Sequence, residues 1–277
     1  MKLSFNTMIW VGESQSERCE RLRRYGYNGG EFAFGLEEID FSEVCLELRK
    51  RNLKAASVGC QYLPGLDLSS ADVTTRRHTI EYSKRCVRAA HEVGASVVNS
   101  SPTAGLKITP EINEQDEWNW AVESLREIGQ YADKRGIQLA IESWNRYETY
   151  MLLTAQDVLQ MINDIDLKNV GGMLDTFHMN IEDASLPESI RLIGDRLYNV
   201  HFADSNRAAP GQGHIDFLPV LQALKDISYG GFISLELIPA AGDPFAAARS
   251  GNAKDFFDKY AKQSATVLRK LATDIGY

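Results

Sequence analysis

Apolar residues along this chain alternate between two rhythms. Short unbroken apolar runs are followed by longer stretches in which apolar residues return every three or four positions. A glycine marks the junction four times: RRYGYNGGEFAF around Gly26, HEVGASVVNS around Gly94, KRGIQLAIES around Gly136 and SYGGFISLEL around Gly230. Glycine just past a helix end takes the left-handed backbone that stops the helix. An unbroken apolar and β-branched run after it reads as a buried parallel strand. Ahead of Gly136, the residues Trp118, Ala121, Val122, Leu125, Ile128 and Ala132 fall on one helical face.

The pattern predicts eight strands: Lys2–Asn6, Gly30–Ala33, Leu53–Val58, Ser96–Ser100, Gln138–Glu142, Gly171–Asp175, Leu197–His201 and Phe232–Glu236. Helical stretches alternate with them, the last from about Ala253 to Leu271. Such alternation requires parallel strands and right-handed crossovers. Eight units of this length predict an α/β chain folded as a single (β/α)8 TIM barrel, one domain over residues 1–277. The rival, an open doubly wound sheet, lacks a GxGxxG after the first strand in its dinucleotide-binding form.

Composition narrows the partners. The 277 residues carry 30 Lys+Arg against 38 Asp+Glu, a net charge of −8, with 44% hydrophobic residues. This is a globular composition, and its acidity argues against a nucleic-acid partner. No stretch approaches the ~18 apolar residues of a membrane span. The opening MKLSFNTMIWVGES has no signal-peptide core, so the expected location is cytoplasmic. Cys19, Cys45, Cys60 and Cys86 form no CxxC pair and read as small core hydrophobes, Cys60 being the partial exception because it directly follows a strand.

The chemistry lies at strand ends. Glu142 in QLAIES, Asp175 in GGMLD, His201 in LYNVH and Glu236 in FISLE each close an apolar run, roughly one strand–helix unit apart. Any one alone would be an ordinary loop-facing polar residue. Four at successive strand ends would converge on the C-terminal rim of a barrel, where buried carboxylates need a cation. Three carboxylates and an imidazole without thiolate suit Mn²⁺, with Mg²⁺ or Co²⁺ as alternatives, better than structural zinc.

DTFHMNIED (175–183), HFADSNRAAPGQG (201–213), IESWNRYE (141–148) and LEL (235–237) resemble the sugar isomerases and epimerases of the xylose-isomerase-like TIM-barrel superfamily, above all its ketose 3-epimerases such as those acting on D-tagatose and D-psicose. The likeness is strong over about residues 135–240 and weaker but collinear before them. It implies that Glu142, Asp175, His201 and Glu236 are metal ligands, and that Glu142 and Glu236 are the paired catalytic acid/base residues. It further implies that Glu148, His178 and Arg207 hold substrate oxygens. The implied reaction removes the proton from the carbon beside a ketone and returns it on the other face, through an ene-diolate stabilised by the ion. The implied partner is a small sugar, and relatives are commonly homo-oligomers, dimers or tetramers.

Other residues are read more plainly. His78 and His91 are structural, His214 is at the surface, and Asp216 caps the helix FLPVLQALKDI. Glu31, closing the second strand, could face the pocket, but the reading that turns it away is preferred. Trp10, Tyr62, Trp144 and Tyr147 are candidate apolar walls, though aromatic residues serve equally as core. NTMIW and NSSPT depart from the well-known 3-epimerases, so they leave the particular sugar open. The segment IPAAGDPFAAARS offers no Lys and only Arg249, a poor phosphate site, so the sugar is expected to be unphosphorylated. Isomerases of the hydroxypyruvate type, inosose-type dehydratases and keto-glycoside epimerases of the superfamily would share the same ligands. A three-zinc abasic-site endonuclease would need further histidines, which VGCQY and NSSPT lack. A non-catalytic sugar-binding subunit would have no need of the complete ligand set.

Overall fold

The computed structural model describes residues 1–33, 39–62, 64–239 and 254–277. Eight parallel strands pair in chain order and close on themselves. They are β1 (Lys2–Asn6), β2 (Gly29–Ala33), β3 (Lys54–Gly59), β4 (Val97–Ser100), β5 (Gln138–Glu142), β6 (Val170–Asp175), β7 (Leu197–Phe202) and β8 (Phe232–Leu235). The helices are α1 (Gln15–Arg24), α2 (Phe41–Lys50), α3 (Val73–Val93), α4 (Glu114–Asp133), α5 (Ala155–Ile165), α6 (Thr176–Glu182), α7 (Leu186–Ile193), α8 (Phe217–Asp226) and α9 (Lys254–Ile275). The chain is thus a single (β/α)8 barrel, as the alternation of apolar patterns predicts. Strand bounds differ from expectation by a residue or so, and Glu236 lies one position beyond β8.

Helix starts follow side-chain chemistry. Ser14 with Glu17 and Thr154 with Asp157 form reciprocal capping boxes, and Asp72, Asn113 and Asp216 accept from first-turn amides. Gly94 stops α3 in the left-handed region at φ 75°. The same device fails at Gly230: Ser228, at φ 56°, takes the left-handed conformation two residues past α8. The turn closes there through Ser228 N donating to Lys225 O, before the chain reaches the glycine.

The outer faces of the strands and the inner faces of the helices share an apolar core. In α4 the predicted stripe Ala121, Val122, Leu125, Ile128 and Ala132 is buried, while Trp118 is half-buried and donates from Nε1 to Asp164 at 2.8 Å. Cys19, Cys60 and Cys86 are buried free thiols, and burial pushes Cys19 up to about 12. Inside the barrel a polar layer lies beside a small apolar cluster of Val97, Ala140 and Met173. Ser4 and Ser234, opposite each other where β1 meets β8, share a hydrogen bond of 2.5 Å. Glu31, Ser57, Asn99 and Asn199 continue this buried polar layer. Among the described residues, no helix is long and apolar enough to cross a membrane.

A buried ion cluster ties three rim loops together. Lys107, after β4, donates to Asp67, after β3, at 2.8 Å, and reaches Glu117 of α4 at 2.7 Å. Glu117 is fully buried, and it also accepts from Tyr150 Oη, after β5, at 2.6 Å and from Ile112 N at 2.9 Å. Burial works against the Glu117 charge, but the Lys107 and Tyr150 donors outweigh it and hold the carboxyl below its ordinary value of 4.5. Its stabilising effect is therefore present above about pH 4.5 and is lost as the pH falls through the folded value. We predict that Glu117→Gln destabilises the fold by about 2–3 kcal/mol, because a charged acceptor of several donors is removed. Urea unfolding at pH 7 checks this, and the difference from wild type should shrink toward pH 3.

Candidate active site

Parallel pairing carries four polar side chains to one end of the barrel. Asp175 and His201 are register partners on β6 and β7, Glu142 is the last residue of β5, and Glu236 directly follows β8. One ligand atom from each of Glu142, Asp175, His201 and Glu236 lies within 4.8 Å of the others. His201 Nδ1 stands 3.3 Å from Glu236 Oε2 and 3.9 Å from both Glu142 Oε1 and Asp175 Oδ2. Asp175 and His201 form the floor, with side chains 0% and 3% exposed, while Glu142 and Glu236 rise toward the opening at 12% and 16%.

Two atoms in this cluster, Glu142 Oε1 and His201 Nδ1, are buried with no hydrogen-bond partner. Buried acceptors aimed at one point are disfavoured unless a cation meets them. The hard oxygens and single imidazole nitrogen fit a divalent ion of Mn²⁺, Mg²⁺ or Co²⁺ type. The protein's own cations compensate part of the charge: Arg207 donates from one nitrogen to Asp175 and from another to Glu236. Burial opposes charge on both glutamates, with different outcomes. It pushes the Glu142 carboxyl up to about 8, whereas His201 and Arg207 overcome it at Glu236 and hold that carboxyl far below the usual range. Such divergence between neighbouring carboxyls is typical of acid/base pairs.

The predicted substrate contacts border the same space. A cavity of about 360 Å³ is lined by Glu142, Glu236, Glu148, His178 and Arg207, with Asn6, Gln61, Tyr62, Leu106 and Trp144 among its other walls. His178, on the first turn of α6, is buried. Asn145 explains its protonation. Asn145 Oδ1 accepts from Tyr147 N at 2.9 Å, so its amide nitrogen is the atom that donates to Glu148 and to His178 Nδ1, both at 2.8 Å. The His178 proton is thereby assigned to Nε2, and burial lowers the ring's pKa and keeps it neutral. Arg207 sits in the left-handed region at φ 62°, its guanidinium 4.7 Å from the Phe177 ring centre. Asp204 shapes this loop, accepting from Gly211 N at 2.8 Å and from Ile215 N at 3.1 Å.

Several expectations change. Glu31 does not face away: it is buried in the barrel interior directly beneath His201. Its place in a short apolar run hid this, because one-residue alternation inside a barrel sends neighbours to opposite faces. Trp10 is core rather than wall, stacked on Phe5 at 4.7 Å, and Tyr147 points outward at 70% exposed. Tyr62 and Trp144 do line the cavity. Asn6, which donates to Glu236 Oε1 at 2.8 Å, and Asn145 stand unremarked inside the quoted NTMIW and IESWNRYE. Arg249 and most of IPAAGDPFAAARS lie outside the described residues.

Comparison with known proteins follows the same lines. The xylose isomerase-like TIM barrel family matches residues 19–263. A D-psicose 3-epimerase of Ruminiclostridium cellulolyticum is 34% identical over 175 residues, which span 61% of this chain and only 59% of that protein. An L-ribulose 3-epimerase of Mesorhizobium japonicum is 29% identical over 242 residues, 85% of this chain and 80% of its own. The crystal structure of D-psicose 3-epimerase with D-tagatose from Clostridium cellulolyticum H10 superposes with a TM-score of 0.85 at 25% identity, covering 98% of each chain. Fold, rim chemistry and sequence likeness agree: this chain belongs to the xylose isomerase-like TIM barrel family.

Proposed function

We propose that the chain is a metal-dependent sugar epimerase of the ketose 3-epimerase kind. The observation that carries this reading is the convergence of Glu142, Asp175, His201 and Glu236 on one point, with two of their buried atoms unpartnered, beside a sugar-sized cavity. The four residues would hold a divalent ion, which supplies Lewis-acid stabilisation of negative charge on the sugar oxygens. Glu142 and Glu236 come from β5 and the end of β8, strands that are not neighbours in the barrel. One glutamate, as carboxylate, takes the proton from C3 of the ketose. The electron pair left behind moves into the C2–C3 bond and onto the C2 oxygen, giving an ene-diolate. The other glutamate, as carboxylic acid, returns a proton to the opposite face of C3. No oxidant or second substrate is needed, and the two glutamates have exchanged protonation states at the end.

The neighbours divide the remaining work. His178, with its proton on Nε2, and Arg207, with its fixed guanidinium, present donors to sugar oxygens where charge develops. Asn145 fixes His178, and Asn6 holds Glu236 in its orientation. The Phe177 ring beneath Arg207 limits water on that side. The sugar is read as an unphosphorylated ketose.

A panel of ketohexoses and ketopentoses incubated with Mn²⁺ in D₂O tests the reaction. Deuterium should enter C3 together with the epimeric product; entry at C1 or C2 would mean an aldose–ketose isomerase instead, and no exchange with any sugar would end the epimerase reading. Glu236→Gln should slow turnover by ~10²–10⁴-fold with an unchanged circular dichroism spectrum. Wild-type rates in that variant would remove Glu236 from the acid/base pair. Removal of metal by chelator should abolish activity, and metal analysis should return one divalent ion per chain, falling toward zero in Asp175→Asn. Three zinc ions per chain would favour nuclease chemistry.

A further inference from the structure

Beneath the four rim residues, the hydrogen bonds around Glu31 form one consistent set in which its carboxylate only accepts. Glu31 Oε1 faces His201 Nε2 at 2.8 Å. Its Oε2 accepts from Ser57 Oγ and from Asn199 Nδ2, the latter at 3.1 Å. Asn199 Nδ2 also donates to Asn99 Oδ1 at 3.0 Å, so its amide cannot be reversed without losing two bonds. Asn99 Nδ2 in turn points at Ser57 Oγ at 3.5 Å, which leaves the Ser57 proton for Glu31. Glu31 is 1% exposed, shut off from bulk water.

We propose that Glu31 is a positioning residue that holds the His201 ring with its proton on Nε2 and its Nδ1 lone pair turned to Glu142, Asp175 and Glu236. The inference rests on the metal reading above and deepens it: it assigns the tautomer that makes His201 a ligand at all. An ionised carboxylate surrounded by donors can only accept, so the imidazole must present N–H to it. The opposite nitrogen is the one without a partner. A carboxylate behind a ligating imidazole also raises the basicity of the ligating nitrogen. Asn199, Asn99 and Ser57 hydrogen-bond to Glu31 and to one another. They act by keeping Glu31 from turning.

Glu31→Gln gives a sharp test because it is nearly isosteric. Ser57 and Asn199 both donate, so the amide oxygen of the replacement is drawn to them and its NH₂ faces His201 Nε2. That arrangement favours a lone pair on Nε2 and a proton on Nδ1, the reverse of the wild type. In the Mg²⁺-loaded wild-type protein, long-range ¹H–¹⁵N spectra of the His201 ring should place the proton on Nε2; a proton on Nδ1 would overturn the proposal without any variant. In Glu31→Gln, Mn²⁺ affinity followed by electron paramagnetic resonance titration should fall about 10–100-fold. Affinity within twofold of wild type would overturn the positioning role while leaving the four-ligand reading intact. If wild type itself binds neither Mn²⁺ nor Mg²⁺, both readings fall together.

Discussion

Three carboxylates crowded within a few ångströms of one another repel, and the closed barrel exists here in a form that forces them together. Neighbouring strands cannot splay to relieve that repulsion, because each is hydrogen-bonded on both sides and the ring has no edge. The repulsion is met by charge instead. His201 lies among the three acids, Arg207 spans Asp175 and Glu236, and a divalent ion would complete the balance. The different responses of Glu142 and Glu236 follow from position: Glu236 accepts directly from the Arg207 guanidinium, while Glu142 keeps a buried oxygen that no donor reaches. The same asymmetry makes the two suitable for opposite halves of a proton transfer.

The layer below sets the orientation of the layer above. A barrel interior is commonly filled with branched apolar side chains, yet here Glu31, Ser57, Asn99 and Asn199 stand at the level beneath the site, beside Met173 and Ala140. Apolar packing could hold the His201 ring in place, but it could not choose which nitrogen carries the proton. A carboxylate with a saturated set of donors can, because hydrogen-bond direction is an all-or-none property of each group. On the substrate side Asn145 does the analogous task for His178: it donates to Nδ1, so there too the proton is left on Nε2.

The loops around the mouth are held by a separate electrostatic anchor. Lys107 and Glu117 are buried together, so their attraction is little screened, and they connect the loops after β3, β4 and β5 to α4. Gly105 and Leu106, next to Lys107, line the cavity. A stable wall is thus provided by an ion cluster outside the reacting centre, which leaves the carboxylates at the rim free for chemistry.

Periodicity alone was enough for the strands, the helices and their order, because each element buries one face and the spacing of apolar residues records which face. It was also enough for the four rim residues, since a polar side chain at the end of an apolar run has one place to go in a parallel barrel. The partners of those residues were not legible in this way. Glu31 and His201 lie 170 positions apart, Asn6 and Glu236 230 apart, and no local pattern couples such distant sites. Trp10 and Tyr147 show the same divide: an aromatic side chain carries no mark of whether it meets core, cavity or water. Closure of the ring settled the Glu31–His201 and Asn6–Glu236 pairs, because only closure brings the first and last strands together and turns alternate side chains into a shared interior.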